Sequence, residues 1–155
     1  MNRHLVWKLF IFVSLFIPSI VKATPVIFEI HGVEVLPTKI SGDTWDVGFG
    51  DMVKPDLQIR FSQSTKAVWI SPKMMNTHSY FGVFSSTKLD LDLEQALVID
   101  VLDLDLRNTD LVESFQITLS ELSTSEHKTI VLSGKSVLRL KIVIKVPKVD
   151  SEPLK

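Results

Sequence analysis

The chain has 155 residues, no cysteine and a formal net charge of −1 at pH 7. The lack of cysteine excludes disulfides, thiol chemistry and cysteine-ligated zinc sites. The slight acidity argues against general nucleic-acid binding, because a protein that neutralises phosphates needs a basic surface.

The N-terminal segment has the pattern of a secretory signal peptide. Arg3 and Lys8 precede an apolar run over residues 9–21, and small Ala23 follows shortly after. This order of positive, apolar and small residues predicts a signal peptide over residues 1–23. The apolar run is short for a membrane-spanning helix, which needs about 20 residues. No cysteine follows it to carry a lipid anchor, so we expect an exported protein, periplasmic or secreted.

Removal of the signal peptide leaves enough chain for one domain with its own core. We expect this domain to cover residues 24–147. The remaining residues, 148–155, are polar and predict a flexible tail. Because the signal peptide carries basic but no acidic side chains, its removal leaves a mildly acidic domain.

The pattern of the domain predicts an all-β fold. Short apolar segments of period two are separated by turn residues, and no window keeps a helical period. The predicted strands are 26–36, 57–61, 67–70, 80–84, 96–102, 115–119, 128–132 and 137–146. Such a series is typical of an eight-stranded antiparallel β-sandwich.

Alternation predicts which side chains of these strands face the core. Val26, Phe28 and Ile30 share one face, and Gly32 allows a bulge after them. In the second strand we expect three inward residues: Leu57, Ile59 and Phe61. In the last strand the even-numbered apolar residues are expected to share the core face: Leu138, Leu140, Ile142, Ile144 and Val146.

Two acidic segments adjoin predicted strands. The apolar strand 96–102 continues into Asp103, Asp105 and Asp110. The glycine-rich segment 41–56 carries four aspartates: Asp43, Asp46, Asp51 and Asp56. Each aspartate alone is explained by a turn. Together they place like charges at the ends of strands, which is unfavourable unless water or a cation such as Ca²⁺ neutralises them.

Three segments resemble parts of C2 domains. Residues 54–61, KPDLQIRF, are similar to the family's SDPYVKV segment. Residues 97–105, LVIDVLDLD, followed by Asp110, resemble its LxIxVxDxD … DxIG segment, and residues 134–142, GKSVLRLKI, resemble its last strand. The order and separation of the three segments also fit this family.

The resemblance implies an eight-stranded sandwich that binds Ca²⁺ through aspartates in loops at one end. Carried onto this chain, the ligands are Asp51, Asp56, Asp103, Asp105 and Asp110. Asp51 lies one residue closer to Asp56 than is usual in the family, so Asp46 or Asp43 is an alternative ligand. Asp110 is also about one residue closer to Asp103, which puts the ligand geometry rather than the fold in question.

The resemblance further implies attachment to an anionic phospholipid surface, with the ion bridging the aspartate loops and the lipid. The expected membrane or partner contacts are Phe49, Met52, Val53, Leu104, Leu106 and Arg107. Outside the cytosol a weak site would stay filled, so Ca²⁺-stabilised binding of an envelope or secreted protein is an equal expectation. The alternative is a calcium-independent interaction module, and the oligomeric state is left open.

Catalysis has little support in the sequence. The histidines of the predicted domain, His31, His78 and His127, are scattered, and no HExxH motif is present. Nucleophile-elbow and phosphate-loop motifs are also missing. We therefore expect a non-catalytic module.

Overall fold

A computed structural model describes residues 23–47, 50–105, 108–120 and 127–147, and only the backbone of Asp51 and Met52. The predicted tail and the predicted signal peptide, apart from Ala23, lie outside these residues. The described residues form eight strands: β1 (Ala23–Val35), β2 (Leu57–Gln63), β3 (Lys66–Ile70), β4 (Ser79–Asp92), β5 (Ala96–Leu104), β6 (Thr109–Thr118), β7 (His127–Leu132) and β8 (Val137–Lys145).

The strands form two four-stranded sheets. Sheet A has the order β4-β1-β8-β7, and sheet B has the order β3-β2-β5-β6. The pairings between these strands are antiparallel. The predicted all-β, eight-stranded antiparallel sandwich is therefore confirmed.

The core lies between the inward faces of the two sheets. Phe28 from sheet A and Phe61 from sheet B meet edge to face, with ring centroids 5.0 Å apart. Leu57, Ile59 and Phe61 are fully buried, as predicted. Each large apolar side chain buried in this way contributes about 1.5–3 kcal/mol. In a chain without disulfides, this core supplies most of the stability.

A bulge at Gly32 changes which residues of β1 face the core. The register with both neighbouring strands shifts between Ile30 and Gly32. Ile30 is buried before the bulge and Val33 after it, so the inward face moves from even to odd positions. A Cβ atom on Gly32 would lie 3.1 Å from the carbonyl oxygen of Tyr80. The predicted bulge is confirmed, and the close approach of β4 explains the glycine.

Two strands are longer than the apolar pattern predicts. β4 covers Ser79–Asp92 rather than 80–84, and β6 begins at Thr109 rather than 115. Both lie at a sheet edge, where polar side chains can face solvent while the backbone still pairs. Hydrophobicity therefore marked only part of each strand.

The predicted face of β8 is wrong at its start. Leu138 is 45% exposed, whereas Val137 and Leu140 are fully buried. The register between β1 and β8 shifts between Glu34 and Val35, and this irregularity displaces the alternation by one residue. Alternation alone could not show the shift.

Three connections meet at one end of the sandwich, which we call the rim: segments 36–56, 71–78 and 105–108, of which residues 48, 49, 106 and 107 are not among the described residues. The backbone groups of Leu57 and Met74 exchange two hydrogen bonds of 2.8 Å, and the Leu104 amide donates to the Asp56 carbonyl at 3.0 Å. The β7–β8 turn reaches the same end, because the Leu36 amide donates to the Ser136 carbonyl at 2.8 Å. Backbone hydrogen bonds thus hold the rim segments together.

One short 3-10 helix, Gly50–Val53, lies in the first rim segment. Among the described residues there is no helix with the length and apolar character needed to cross a membrane.

Candidate metal centre

Three carboxylates converge at the rim. Asp103 lies near the end of β5, Asp105 follows that strand, and Asp46 comes from segment 36–56. One carboxylate oxygen from each lies within 4.8 Å of the others. Oxygen donors at this separation suit a hard cation such as Ca²⁺, which takes six to eight oxygen ligands.

Asp103 is the most buried member of this cluster. Its side chain is fully buried, and its Oδ1 accepts a 2.9 Å hydrogen bond from the Asp56 amide. Its Oδ2 is buried without a hydrogen-bond partner. Burial, together with the nearby charge of Asp105, raises the pKa of the Asp103 carboxyl. A cation would neutralise Asp103 and give this oxygen a partner.

The pKa of Asp46 is also raised. Burial, a side-chain hydrogen bond with Asp105 and the charge of Asp103 raise the pKa of Asp46 to about 7. The loop around it is shaped by a 2.9 Å hydrogen bond from the Thr44 hydroxyl to the Asp46 carbonyl. Without a cation, protonation of Asp46 therefore relieves part of the repulsion within the cluster.

Asp56 has its own partners. Its Oδ1 accepts a 2.8 Å hydrogen bond from the Asn76 amide, and its Oδ2 lies 2.5 Å from Nζ of Lys73. Lys73 comes from segment 71–78, which the sequence did not associate with the acidic residues. This aspartate thus lies at the rim as predicted, but an ammonium group already neutralises it.

Asp110 is similarly paired. It lies in β6, opposite Asp103 in the strand register, so its predicted place in a loop is wrong. Its Oδ2 lies 3.0 Å from Nζ of Lys39. The hydrogen bond to Asp110 is the main cause that raises the pKa of Lys39, with further contributions from Asp105 and Asp103.

Lys39 is also positioned by an aromatic ring. Its Nζ lies 5.9 Å from the centroid of the Trp45 ring. Trp45 is 5% exposed, and its indole N–H donates to the Leu36 carbonyl at 2.8 Å. Because Trp45 is fixed in this way, it helps to hold the ammonium group beside the acidic cluster.

An open cleft of about 890 Å³ lies beside this cluster. Its lining includes the alternative ligand Asp43, which is exposed and accepts a 2.7 Å hydrogen bond from the Ser41 hydroxyl. Asp46, Asp56 and Asp105 also face this cleft. The carboxylate oxygens of these aspartates are ligand atoms of the kind that a calcium ion prefers.

The remaining predicted residues are only partly covered. The side chains of Asp51 and Met52 lie outside the described residues, as do Phe49, Leu106 and Arg107 entirely. Val53 and Leu104 are described, and both are half-buried. Other apolar side chains at this end are more exposed than these two: Ile40, Val47, Met75 and Leu111.

Sequence reasoning missed the two lysines. Lys39 and Lys73 lie outside both acidic segments, and nothing in their neighbouring residues connects them with aspartates far along the chain. Only the fold brings them to the rim. Asp46 was recognised only as an alternative ligand, because spacing favoured Asp51.

No protein-family model matches the sequence, and no curated protein is similar to it in sequence. Solved structures, however, share the fold. The structure of extended synaptotagmin 2 that comprises its SMP domain and two C2 domains aligns with 83% of this chain and 28% of its own, at TM-score 0.61 and 18% identity. This chain therefore spans only about a quarter of the length of that structure.

Two further structures cover the same fold. The first C2 domain of plant extended synaptotagmin 1 aligns over 82% of this chain and 98% of its own, at TM-score 0.60 and 13% identity. The calcium-bound pair of C2 domains of extended synaptotagmin 2 aligns over 81% of this chain and 46% of its own, at TM-score 0.60 and 15% identity. These likenesses show that the protein has a C2-like fold, which agrees with the resemblance found in the sequence.

Proposed function

We propose that the protein is a non-catalytic C2-like module that binds Ca²⁺ at its rim and attaches, with the ion's help, to a phospholipid surface or a protein partner. The observation that carries this proposal is the Oδ2 of Asp103, which is buried without a partner beside Asp46 and Asp105. An unpaired buried carboxylate oxygen is costly, and a bound cation removes that cost. A similar fold with calcium bound supports the choice of ion.

The charge of the rim supports a role for the ion in attachment. Six described aspartates lie there against three described lysines, and two of these lysines, Lys39 and Lys73, pair with Asp110 and Asp56. The net charge of this group is negative, so the rim repels an anionic surface. A divalent cation would weaken this repulsion and offer open coordination positions to a phosphate or carboxylate of the partner.

The N-terminal pattern supports action outside the cytosol. In a periplasm or an extracellular space, millimolar calcium would fill a site of modest affinity. There the ion would stabilise the rim continuously rather than act as a switch. We include this location in the proposal, and cleavage after residue 23 in the expressed protein would test it by N-terminal sequencing.

Thermal unfolding of the full chain tests the metal site. We expect the melting temperature to rise by several degrees between excess chelator and millimolar Ca²⁺, and much less with Mg²⁺. A ligand that binds only the native state stabilises it by about 2.7 kcal/mol at a hundredfold excess over Kd. Asp103→Asn combined with Asp105→Asn should abolish the shift. Asp90→Asn is the matched control, since Asp90 is exposed on β4.

Attachment needs a separate measurement. Vesicles of phosphatidylcholine with phosphatidylserine should sediment the protein in Ca²⁺ but not in chelator. Binding that ignores the ion would contradict the lipid-bridging role. A calcium-dependent melting shift without vesicle binding would direct the search to a protein partner.

A calcium-independent interaction module is the second candidate. The observation that favours it is the pairing of Asp56 with Lys73 and of Asp110 with Lys39, which neutralises part of the rim without any metal. An unchanged melting curve in Ca²⁺ together with a stable oligomer or complex would support this candidate and contradict the first.

A further inference from the structure

We propose that Lys39 and Lys73 are built-in counter-ions that limit the rim to one divalent cation and lower its affinity. This inference rests on the proposed calcium site and specifies how that site is regulated. It assigns the ion to the pocket of Asp46, Asp103 and Asp105, and it assigns Asp56 and Asp110 to the lysines.

The pairing of Lys73 blocks one side of the pocket. Both carboxylate oxygens of Asp56 are engaged, one by the Asn76 amide at 2.8 Å and the other by Nζ of Lys73 at 2.5 Å. The same ammonium group lies 3.5 Å from the Leu104 carbonyl oxygen. Lys73 therefore contacts two oxygen atoms that a second cation at this side would need.

Lys39 acts from a different rim segment, the one between β1 and β2. Its ammonium group holds Asp110 at 3.0 Å, and the charges of Asp103 and Asp105 also raise its pKa. Lys39 is thus electrostatically coupled to the members of the pocket itself. Its position over the Trp45 ring keeps the charge near the cluster.

The two lysines already offset part of the negative charge of the rim. Two ammonium groups together supply the charge of one divalent cation, so the lysines take the place of a second ion. A cation that took Asp56 or Asp110 as a ligand would have to break a charge-assisted hydrogen bond, which is among the stronger kinds in proteins. The pocket of three carboxylates has no such competitor for the Oδ2 of Asp103.

Repulsion from the lysines also weakens the ion that does bind. A positive charge paired with a neighbouring carboxylate of the rim opposes a divalent cation, and the partial burial of both lysines limits screening by salt. Removal of either ammonium group should therefore raise calcium affinity, by about tenfold for each lysine.

Calorimetric titration of the full-length protein with CaCl₂ tests the inference through affinity and stoichiometry. We expect one ion in the wild type, about tenfold tighter binding in Lys39→Met and in Lys73→Met, and a second ion in the double variant. Lys73→Arg keeps the charge and should bind as the wild type does. Lys66→Met is the matched control, because Lys66 is exposed on β3 next to the β2–β3 turn, away from the rim.

The outcomes separate this inference from the proposed function. The inference is overturned, and the calcium site left in place, if Lys39→Met and Lys73→Met bind Ca²⁺ with the same affinity as the wild type. The same conclusion follows if the wild type binds two ions. Binding only in the double variant would support the lysines as competitors and contradict the proposed function. If no variant binds, both are overturned.

Discussion

Two buried aspartates three positions apart on β5 have opposite surroundings. Asp100, in the middle of the strand, is 6% exposed, and both of its oxygens are satisfied. Arg60 donates to one oxygen from Nε at 3.1 Å and from Nη2 at 2.7 Å, and the Ser114 hydroxyl donates to the other at 2.7 Å. Asp103, at the end of the strand, is fully buried with one oxygen unpartnered.

The difference separates a structural carboxylate from one available for a ligand. The partners of Asp100 come from β2 and β6, the strands on either side, so the sheet itself completes its hydrogen bonds. The side chains that converge with Asp103 in the pocket, Asp46 and Asp105, are carboxylates, which repel it. Burial alone therefore does not indicate a site; burial without a partner does.

The largest effect is expected when Asp100 loses its partner. Arg60→Met would leave a buried carboxylate without its ion pair, and we expect a loss of about 2–3 kcal/mol in the free energy of unfolding. The value is below that for a fully buried pair, because Arg60 is 39% exposed. Urea denaturation in chelator would measure it.

Arg139→Met provides the control for this loss, since Arg139 is exposed on β8. A surface substitution of this kind changes stability by less than about 0.5 kcal/mol. Equal effects of the two variants would contradict the structural role of Asp100.

Replacement of Asp103 or of Asp100 by asparagine should change the free energy of unfolding in opposite directions. In chelator, Asp103→Asn should stabilise the protein by about 1 kcal/mol, because the amide relieves repulsion and can donate to Asp46 or Asp105. Asp100→Asn should destabilise it by about 1–2 kcal/mol, because the charge-assisted bonds to Arg60 are weakened. Urea denaturation above neutral pH gives both values. Loss of stability in both variants would contradict the distinction.

The pH dependence of stability in chelator should reveal the acidic pocket. Asp46 has a folded pKa of about 7 against an ordinary value of 3.8, so it holds a proton in the folded state that the unfolded chain releases. Its contribution is therefore full below about pH 4 and is lost as pH rises toward about pH 7. Binding of Ca²⁺ should restore the lost stability at neutral pH.

Asp46→Asn isolates this contribution. The difference in unfolding free energy between wild type and variant should fall with rising pH in chelator, across the same window. A difference that does not vary with pH would contradict the close approach of Asp46 to Asp103 and Asp105.

A smaller effect of the opposite sign is expected from His78. Its Nε2 is buried without a partner, and burial and the charge of Lys54 lower its pKa below 6.5. The unfolded chain therefore takes up the proton first, and stability falls as pH drops through about 6.5 toward the folded pKa. His78→Gln should remove that acid-side loss in urea denaturation. If the stability of His78→Gln falls at acid pH as much as that of the wild type, the role assigned to His78 is contradicted.

Much of the fold could be predicted because its strands alternate. Leu57, Ile59 and Phe61 form a clean inward face, and Gly32 marks the bulge that was expected there. Leu138 was misplaced because a shift between strands leaves no local pattern in the sequence. The ends of β4 and β6 were missed because edge strands keep their backbone pairing without apolar residues.

The candidate site was predictable in part. Strand ends rich in aspartate pointed to Asp103 and Asp105, which the fold brings together with Asp46. Lys39 and Lys73 could not be found, since their partners lie far along the chain and only the loops' arrangement at the rim joins them. Ligand spacing also could not show that Asp56 and Asp110 already have counter-ions.

The most direct test of the central claim uses terbium, a luminescent substitute for calcium, and the indole of Trp45. Trp45 lines the same cleft as Asp46 and Asp105, so excitation of its ring should sensitise a bound Tb³⁺ ion. The calcium site predicts terbium emission that Ca²⁺ displaces and that disappears in Asp103→Asn with Asp105→Asn. Trp45→Phe should lose most of the emission while keeping the ion. Emission that is absent, or that persists after both aspartates are replaced, would contradict a metal site at the rim.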